Sequence, residues 1–173
     1  MMRIRFSFVL MLMFVGLGVH GQESKTAEVK WYSFEDAVAK SKASPKKLFI
    51  DVYTNWCGWC KRMDATTFQD PVVVNYLNNN YYPVKLNAER KDSVIFADKI
   101  FVYQPQYKAN EIALSLLGGK MSYPTYVFLD EQFNMLTPLP GYMDSATLMN
   151  VLKYFGDGVY QSVSWEEYNK VGK

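Results

Sequence analysis

The sequence predicts an α/β protein, a three-layer sandwich around a mixed central sheet. Three observations carry this. Apolar runs of strand length, Leu48–Tyr53, Tyr82–Asn87 and Thr125–Leu129, alternate with apolar stripes at helical spacing. A turn at Glu131–Asn134 leads the last of these runs into another short strand, so a hairpin closes the sheet. No internal repeat or low-complexity segment interrupts the pattern.

Each element has a local reason. Arg3 and Arg5 precede the apolar run Phe6–Val19, and Val19-His20-Gly21 fits a cleavage site, so residues 1–21 read as a signal peptide, with an uncleaved anchor as the alternative. Residues 22–173 then form a single domain of ordinary size. Val29–Tyr32 reads as a short edge strand. Ser33 and Asp36 resemble a capping box for a helix carrying Phe34, Ala37, Val38 and Ser41, which Ser44-Pro45 ends. Leu48–Tyr53 is the central strand. Gly58–Phe68 has no proline and reads as a helix. Asp70-Pro71 starts another, with Val72, Val73, Tyr76 and Leu77 in helical register. Val94–Tyr103 contains two β-rich runs around a tight turn, so a hairpin is expected to extend or flank the sheet. Ala109, Ile112, Ala113, Leu116 and Leu117 stripe a helix that Gly118-Gly119 stops. Met135–Leu139 contains Pro138, which assigns it to an edge. Asp144 caps a helix through Leu148, Val151, Leu152 and Phe155. Ser164 and Glu167 box the start of a last short helix, Trp165–Lys170.

Composition removes several function classes. Without Arg3 and Arg5 the chain holds 17 basic and 17 acidic residues, no basis for nucleic-acid binding. Once the leader is cleaved, no membrane attachment is expected. The only histidine, His20, lies in the leader, so the mature chain has two cysteines and no histidine. The expectation is no metal and no cofactor beyond a redox-active cysteine pair.

That pair is Cys57 and Cys60, in Trp56-Cys57-Gly58-Trp59-Cys60-Lys61, directly after the central strand. A strand running into C-x-x-C at a helix start is a redox context. Unpaired N–H groups and the positive end of the helix favour a thiolate, and the thiolate attacks disulfides. Cys57 is therefore the expected attacking sulfur, and Cys60, one turn further in and more buried, the resolving one. Half of a zinc site and a static disulfide are the alternatives; the first lacks ligands and the second closes almost no chain entropy. Asp51, six residues before Cys57 and between Ile50 and Val52, is expected to be buried with a raised pKa, able to accept the Cys60 proton. Lys85 alternates with Val84 and Leu86, so it either faces solvent or modulates that acid. Trp56 and Trp59 either pack or shield the thiolate and contact substrate. Tyr123-Pro124 is either an ordinary turn or a cis peptide before a buried strand.

Taken together these residues resemble the thioredoxin family. Asp51, the run Trp56-Cys57-Gly58-x-Cys60-Lys61, Val84-Lys85-Leu86-Asn87, Tyr123-Pro124-Thr125 and Gly141 fall at separate positions that match it. The similarity covers about residues 45–155, with an insertion at about 88–107 and an extension at 156–173. It is strongest toward exported, periplasmic thiol:disulfide interchange proteins of Bacteroidetes-type bacteria. The resemblance implies a thioredoxin-like fold and a thiol:disulfide oxidoreductase, periplasmic or secreted, that reduces or isomerises protein disulfides through a mixed disulfide. It implies protein disulfide substrates, a redox-resetting partner, Cys57, Cys60, Asp51 and Lys85 as catalytic residues, and Trp56, Gly58, Trp59, Tyr123, Pro124 and Thr125 at the substrate. Trp59 departs from the family's proline at the position that tunes redox potential, which leaves a dithiol oxidase open. A redox-inactive peptide-binding or chaperone-like module of the same fold is the alternative of a different class.

Overall fold

A computed structural model of the protein describes residues 27–171, and the expected signal peptide lies outside them. In chain order the elements are α1 (Phe34–Ala43), β1 (Lys47–Tyr53), α2 (Gly58–Ala65), a 3₁₀ turn (Thr67–Gln69), α3 (Pro71–Asn80), β2 (Tyr81–Asn87), β3 (Val94–Phe96), β4 (Lys99–Phe101), β5 (Tyr103–Gln104), β6 (Ala109–Asn110), α4 (Glu111–Leu116), β7 (Thr125–Leu129), β8 (Met135–Pro140), α5 (Ser145–Gly156), a second 3₁₀ turn (Val159–Gln161) and α6 (Trp165–Val171).

The main sheet has the order β2-β1-β7-β8. β2 runs parallel to β1, whereas β7 and β8 add antiparallel strands, so the sheet is mixed. β1 lies between two neighbours and is buried on both faces, which is why its sequence is apolar almost throughout. The period-two alternation of a strand divides its side chains. Leu48, Ile50 and Val52 enter one core with Phe34, Ile112 and Leu116 from α1 and α4. Phe49 enters the other with Met63, Val73, Leu77 and Leu152 from α2, α3 and α5. Three layers result.

The expected caps form. Ser33 Oγ accepts from Asp36 N at 3.0 Å, Asp70 Oδ1 from Val72 N at 2.9 Å and Asp144 Oδ1 from Thr147 N at 2.8 Å. Ser164 and Glu167 bond reciprocally, at 3.3 and 3.4 Å. Such caps satisfy helix N–H groups that have no partner within the helix.

Three expectations change in detail, and the hairpin takes one of its two expected places. The expected edge strand at Val29–Tyr32 reduces to one bridge, Tyr32 to Val84. The helix after Cys57 stops at Ala65 rather than Phe68. Thr66 leaves helical geometry at φ −125° and ψ −80°, and its hydroxyl bonds back to Arg62 O at 2.7 Å. The hairpin pairs Val94 with Phe101 and Ile95 with Ile100, but as its own two-stranded sheet that flanks the main one. Its turn residues Ala97 and Asp98 have φ of 49° and 60°, the left-handed pair that a two-residue hairpin turn needs. Val94 and Phe96 pack toward the α1 side, and Ile95 and Ile100 face out. Finally, Ala109 is a strand residue, not part of the helical stripe. It pairs with Gln104, and α4 begins only at Glu111, capped by Asn110. Asn110 is fully buried; its amide donates to Asp92 O at 3.0 Å and its carbonyl accepts from Ile112 N at 3.1 Å. One side chain thus ties the inserted segment to the helix that follows it.

Candidate functional site

The chain leaves β1 at Tyr53, and Thr54 O accepts a hydrogen bond from Cys57 N at 3.2 Å. Cys57 then serves as the N-cap of α2. Its backbone is extended (φ −70°, ψ 107°) and its Sγ accepts from Cys60 N at 3.0 Å. The sulfur therefore stands where an aspartate or serine oxygen ordinarily caps a helix, at the positive end of the helix dipole. Cys57 and Cys60 are joined as a disulfide with Cα atoms 5.3 Å apart. Both are buried, at 4% and 2% exposure, so the expected difference in burial is slight. Gly58 is exposed, and apart from its chain neighbours and its own helix backbone nothing lies within 4 Å of where a Cβ would be.

Beneath α2 lies the buried acid. Asp51 is 1% exposed. The parallel register of β1 and β2 puts Lys85 directly opposite it, and Lys85 Nζ donates to Asp51 Oδ2 at 2.6 Å. Lys85 is thus a partner of the acid and not a solvent-facing strand residue. The same ammonium also pairs with Asp64 on α2. The rings of Trp31 and Tyr53 lie 5.0 Å and that of Phe68 5.4 Å from it, so the cation is held in a half-buried aromatic surround. Burial pushes the Asp51 carboxyl up to about 6; Lys85 opposes this and Asp64 adds to it. Burial also works against the Lys85 charge, but the two carboxylates outweigh it and raise its pKa. Lys85 therefore remains an ammonium, while the Asp51 carboxyl titrates closer to neutral pH than a free aspartate does.

The rim is aromatic. Trp56 is 66% exposed, its indole N–H donates to Glu89 Oε1 at 3.0 Å, and its ring meets Tyr123 edge-on at 5.7 Å. Trp59, 58% exposed, lies 5.4 Å from Tyr142, and the Arg62 guanidinium packs on both rings. The Tyr123–Pro124 peptide is cis, and Pro124 O accepts from Gly141 N at 2.8 Å. Gly141 has φ 104°, a conformation that glycine takes without strain. Thr125 is buried as the first residue of β7, and its hydroxyl donates to Ser122 O at 2.7 Å. Pro124 is likewise buried. Trp56, Gly58, Trp59 and, in part, Tyr123 form the accessible surface.

Sequence reasoning missed Asp64, Glu89 and Tyr126, the last of which stands opposite Asp51 on β7. Asp64 had a signal: four residues after Cys60, it is on the same helical stripe. Glu89 carries none, because only the tertiary fold brings it to Trp56. Among the described residues no group of three or more His, Cys, Asp or Glu gathers as a metal site. No helix among them is long and apolar enough to cross a membrane.

A four-stranded mixed sheet between helical layers, with a C-x-x-C disulfide capping the helix after its central strand, defines a thioredoxin-like fold of the disulfide-oxidoreductase type. Residues 20–161 match the family described as Thioredox_DsbH, protein of unknown function, DUF255, and the chain belongs to that family. Over 110 residues it is 29% identical to the uncharacterized protein B0495.5 of Caenorhabditis elegans, covering 63% of this chain and 13% of that one. Over 136 residues it is 25% identical to the thiol:disulfide interchange protein DsbD of Vibrio vulnificus, covering 74% of this chain and 20% of DsbD. The chain thus spans a fifth or less of these two relatives. The solution structure of a proposed disulphide-isomerase from Bacteroides thetaiotaomicron has the same fold, with a TM-score of 0.56, 24% identity, and coverage of 82% of this chain and 100% of that one.

Proposed function

We propose that this chain is an exported thiol:disulfide oxidoreductase that reduces or isomerises protein disulfides. The observation that carries the reading is the stacking of two devices. Cys57 sulfur caps α2 through Cys60 N, and Asp51, buried and paired to Lys85, lies on the sheet face that α2 covers. The first favours a thiolate at Cys57; the second supplies a proton acceptor within the fold.

In the reduced protein, Cys57 thiolate attacks one sulfur of a substrate disulfide. A Cys57–substrate bond forms and the other substrate sulfur leaves as a thiolate. Cys60 then loses its proton to Asp51, and its thiolate attacks Cys57 Sγ. The Cys57–Cys60 bond forms and the second substrate thiol is released. Two electrons have passed to the substrate, and a dithiol partner protein must return them. In isomerisation a different cysteine thiolate of the substrate attacks the substrate sulfur of the mixed disulfide, so a new substrate disulfide forms and Cys57 leaves as the thiolate. Trp56, Gly58, Trp59, Tyr123 and the Pro124–Thr125 backbone form the docking surface for an extended substrate segment. Export rests on residues 1–21 as a cleaved leader, which places the reaction in the periplasm or outside the cell. A dithiol–disulfide pair needs no further cofactor.

Insulin reduction with a dithiol reductant, together with capture by Cys60→Ser, tests the reading. Wild type should turn over, and the variant should hold substrates as mixed disulfides on Cys57. An inactive wild type whose Cys60→Ser variant captures nothing would identify a binding module instead.

A further inference from the structure

The buried acid has a second polar neighbour that the redox steps do not use. Asp51 and Tyr126 are register partners across the antiparallel β1–β7 ladder. Side chains so paired share one face of the sheet, with Cβ atoms roughly 5 Å apart. Both are buried, at 1% and 0% exposure. Lys85 approaches from the opposite neighbour, β2, and takes Asp51 Oδ2. Among the described residues, Asp51 Oδ1 has no hydrogen-bond partner, and neither has the Tyr126 hydroxyl.

Two such atoms on one rung call for an explanation, because an unsatisfied buried polar group is costly. Ring packing does not supply it. Tyr126 stacks on Phe49 at 5.6 Å and meets Phe68 edge-on at 6.3 Å, contacts that phenylalanine would make equally. The hydroxyl is what distinguishes tyrosine here, and its register partner across the ladder carries a carboxylate oxygen that is likewise unpaired. A single water between the two atoms would satisfy both, accepting from the phenol and donating to the carboxylate.

We propose that Tyr126 is a positioning residue for the proton acceptor: its hydroxyl acts on Asp51 Oδ1 through one bridging water. The carboxyl is then held from both sides, by Lys85 at Oδ2 and by the Tyr126–water pair at Oδ1. The charged and titratable groups that act on Asp51 are Lys85 from β2, Asp64 from α2 and Tyr126 from β7, with the Tyr53 ring against the Lys85 ammonium. Burial, with Asp51 and Asp64 nearby, holds the Tyr126 phenol far above its ordinary range, so it remains the donor. A bond donated toward the carboxylate favours its ionised form, in the same sense as Lys85 and against burial and Asp64. The effect on turnover rests on the proposed role of Asp51; the effect on Asp51 titration does not.

The test is Tyr126→Phe in the full mature chain. Carbon-13 NMR titration of the Asp51 carboxyl in the reduced protein should show the midpoint rising by about one pH unit. If Asp51 takes the Cys60 proton, mixed-disulfide resolution then slows about fivefold at pH 6 and about twofold at pH 7, following the loss of ionised acid. A shifted midpoint with unchanged resolution supports the inference and counts against Asp51 as the base. An unchanged midpoint with a raised melting temperature overturns it, because the hydroxyl was then a plain unpaired group. Wild-type protein gives an independent check. The Tyr126 hydroxyl proton should be slow to exchange and show a cross-peak to a long-lived water, and its absence also overturns the inference.

Discussion

Replacing Asp51 by asparagine separates its chemical role from its cost to the fold. The amide keeps the shape and removes the charge. In the native protein, burial lifts the carboxyl from 3.8 to about 6 even with Lys85 Nζ 2.6 Å away. That displacement corresponds to roughly 3 kcal/mol in favour of the neutral acid. The folded pKa lies above the unfolded one, so the contribution of Asp51 to stability is complete below about pH 4 and is lost as pH rises through about 6. Asp51→Asn has no such loss. Lys85 gives up one carboxylate but keeps Asp64, which offsets part of the gain. Urea melts should therefore find the variant about 1–2 kcal/mol more stable than wild type at pH 8, with the advantage gone near pH 4. Kinetics should move the opposite way. Without an internal acceptor the resolving step should slow by about tenfold to a hundredfold, while attack by Cys57 is little changed. Trp56 and Trp59 flank the reacting sulfurs and report both steps in stopped-flow fluorescence. Equal resolution rates between pH 6 and 8 would show that solvent takes the Cys60 proton. Parallel stability profiles for the two proteins would refute the burial argument itself.

Three further outcomes are expected. Iodoacetamide should modify Cys57 before Cys60 in the reduced protein, because the capping sulfur sits at the positive end of the helix, which favours the reactive thiolate; mass spectrometry after brief labelling reads the order. Lys85→Met should raise the Asp51 midpoint further above about 6, since Lys85 is what holds it down, and should shift the pH profile of resolution upward in step. Replacing Val94–Phe101 by a short glycine linker removes Val94 and Phe96 from the α1-side core and should cost roughly 3–5 kcal/mol in a denaturant melt. Turnover of a small disulfide should survive that deletion; loss confined to protein substrates would assign the hairpin to recognition.

Much of this protein is determined by short stretches of sequence acting locally. Ser33, Asp70, Asp144 and the Ser164–Glu167 pair stop and start helices because a side-chain oxygen reaches an N–H two or three residues on, whatever the rest of the chain does. The apolar run Leu48–Val52 specifies a strand buried on both faces, and that burial made Asp51 conspicuous before any neighbour was known. Placing Cys57 at a helix start required only the strand before it and the helix-forming residues after it. Tertiary structure decided the rest. Whether Lys85 meets solvent or Asp51 depends on the parallel register of β1 and β2, which pairs residues 34 positions apart across the segment that carries α2 and α3. Tyr126 looked like one more aromatic in an apolar strand until the antiparallel register put it opposite the acid. Asp64 and Glu89 became part of the site only when α2 folded over β2 and the chain after β2 returned to Trp56. The small β5–β6 ladder escaped detection because two-residue strands have no period to read, and Ala109 fits a helix stripe as well as a ladder. Periodicity and capping are short-range and leave marks in the sequence. The electrostatics of this site come from pairings between distant segments, and those exist only once the sheet has formed.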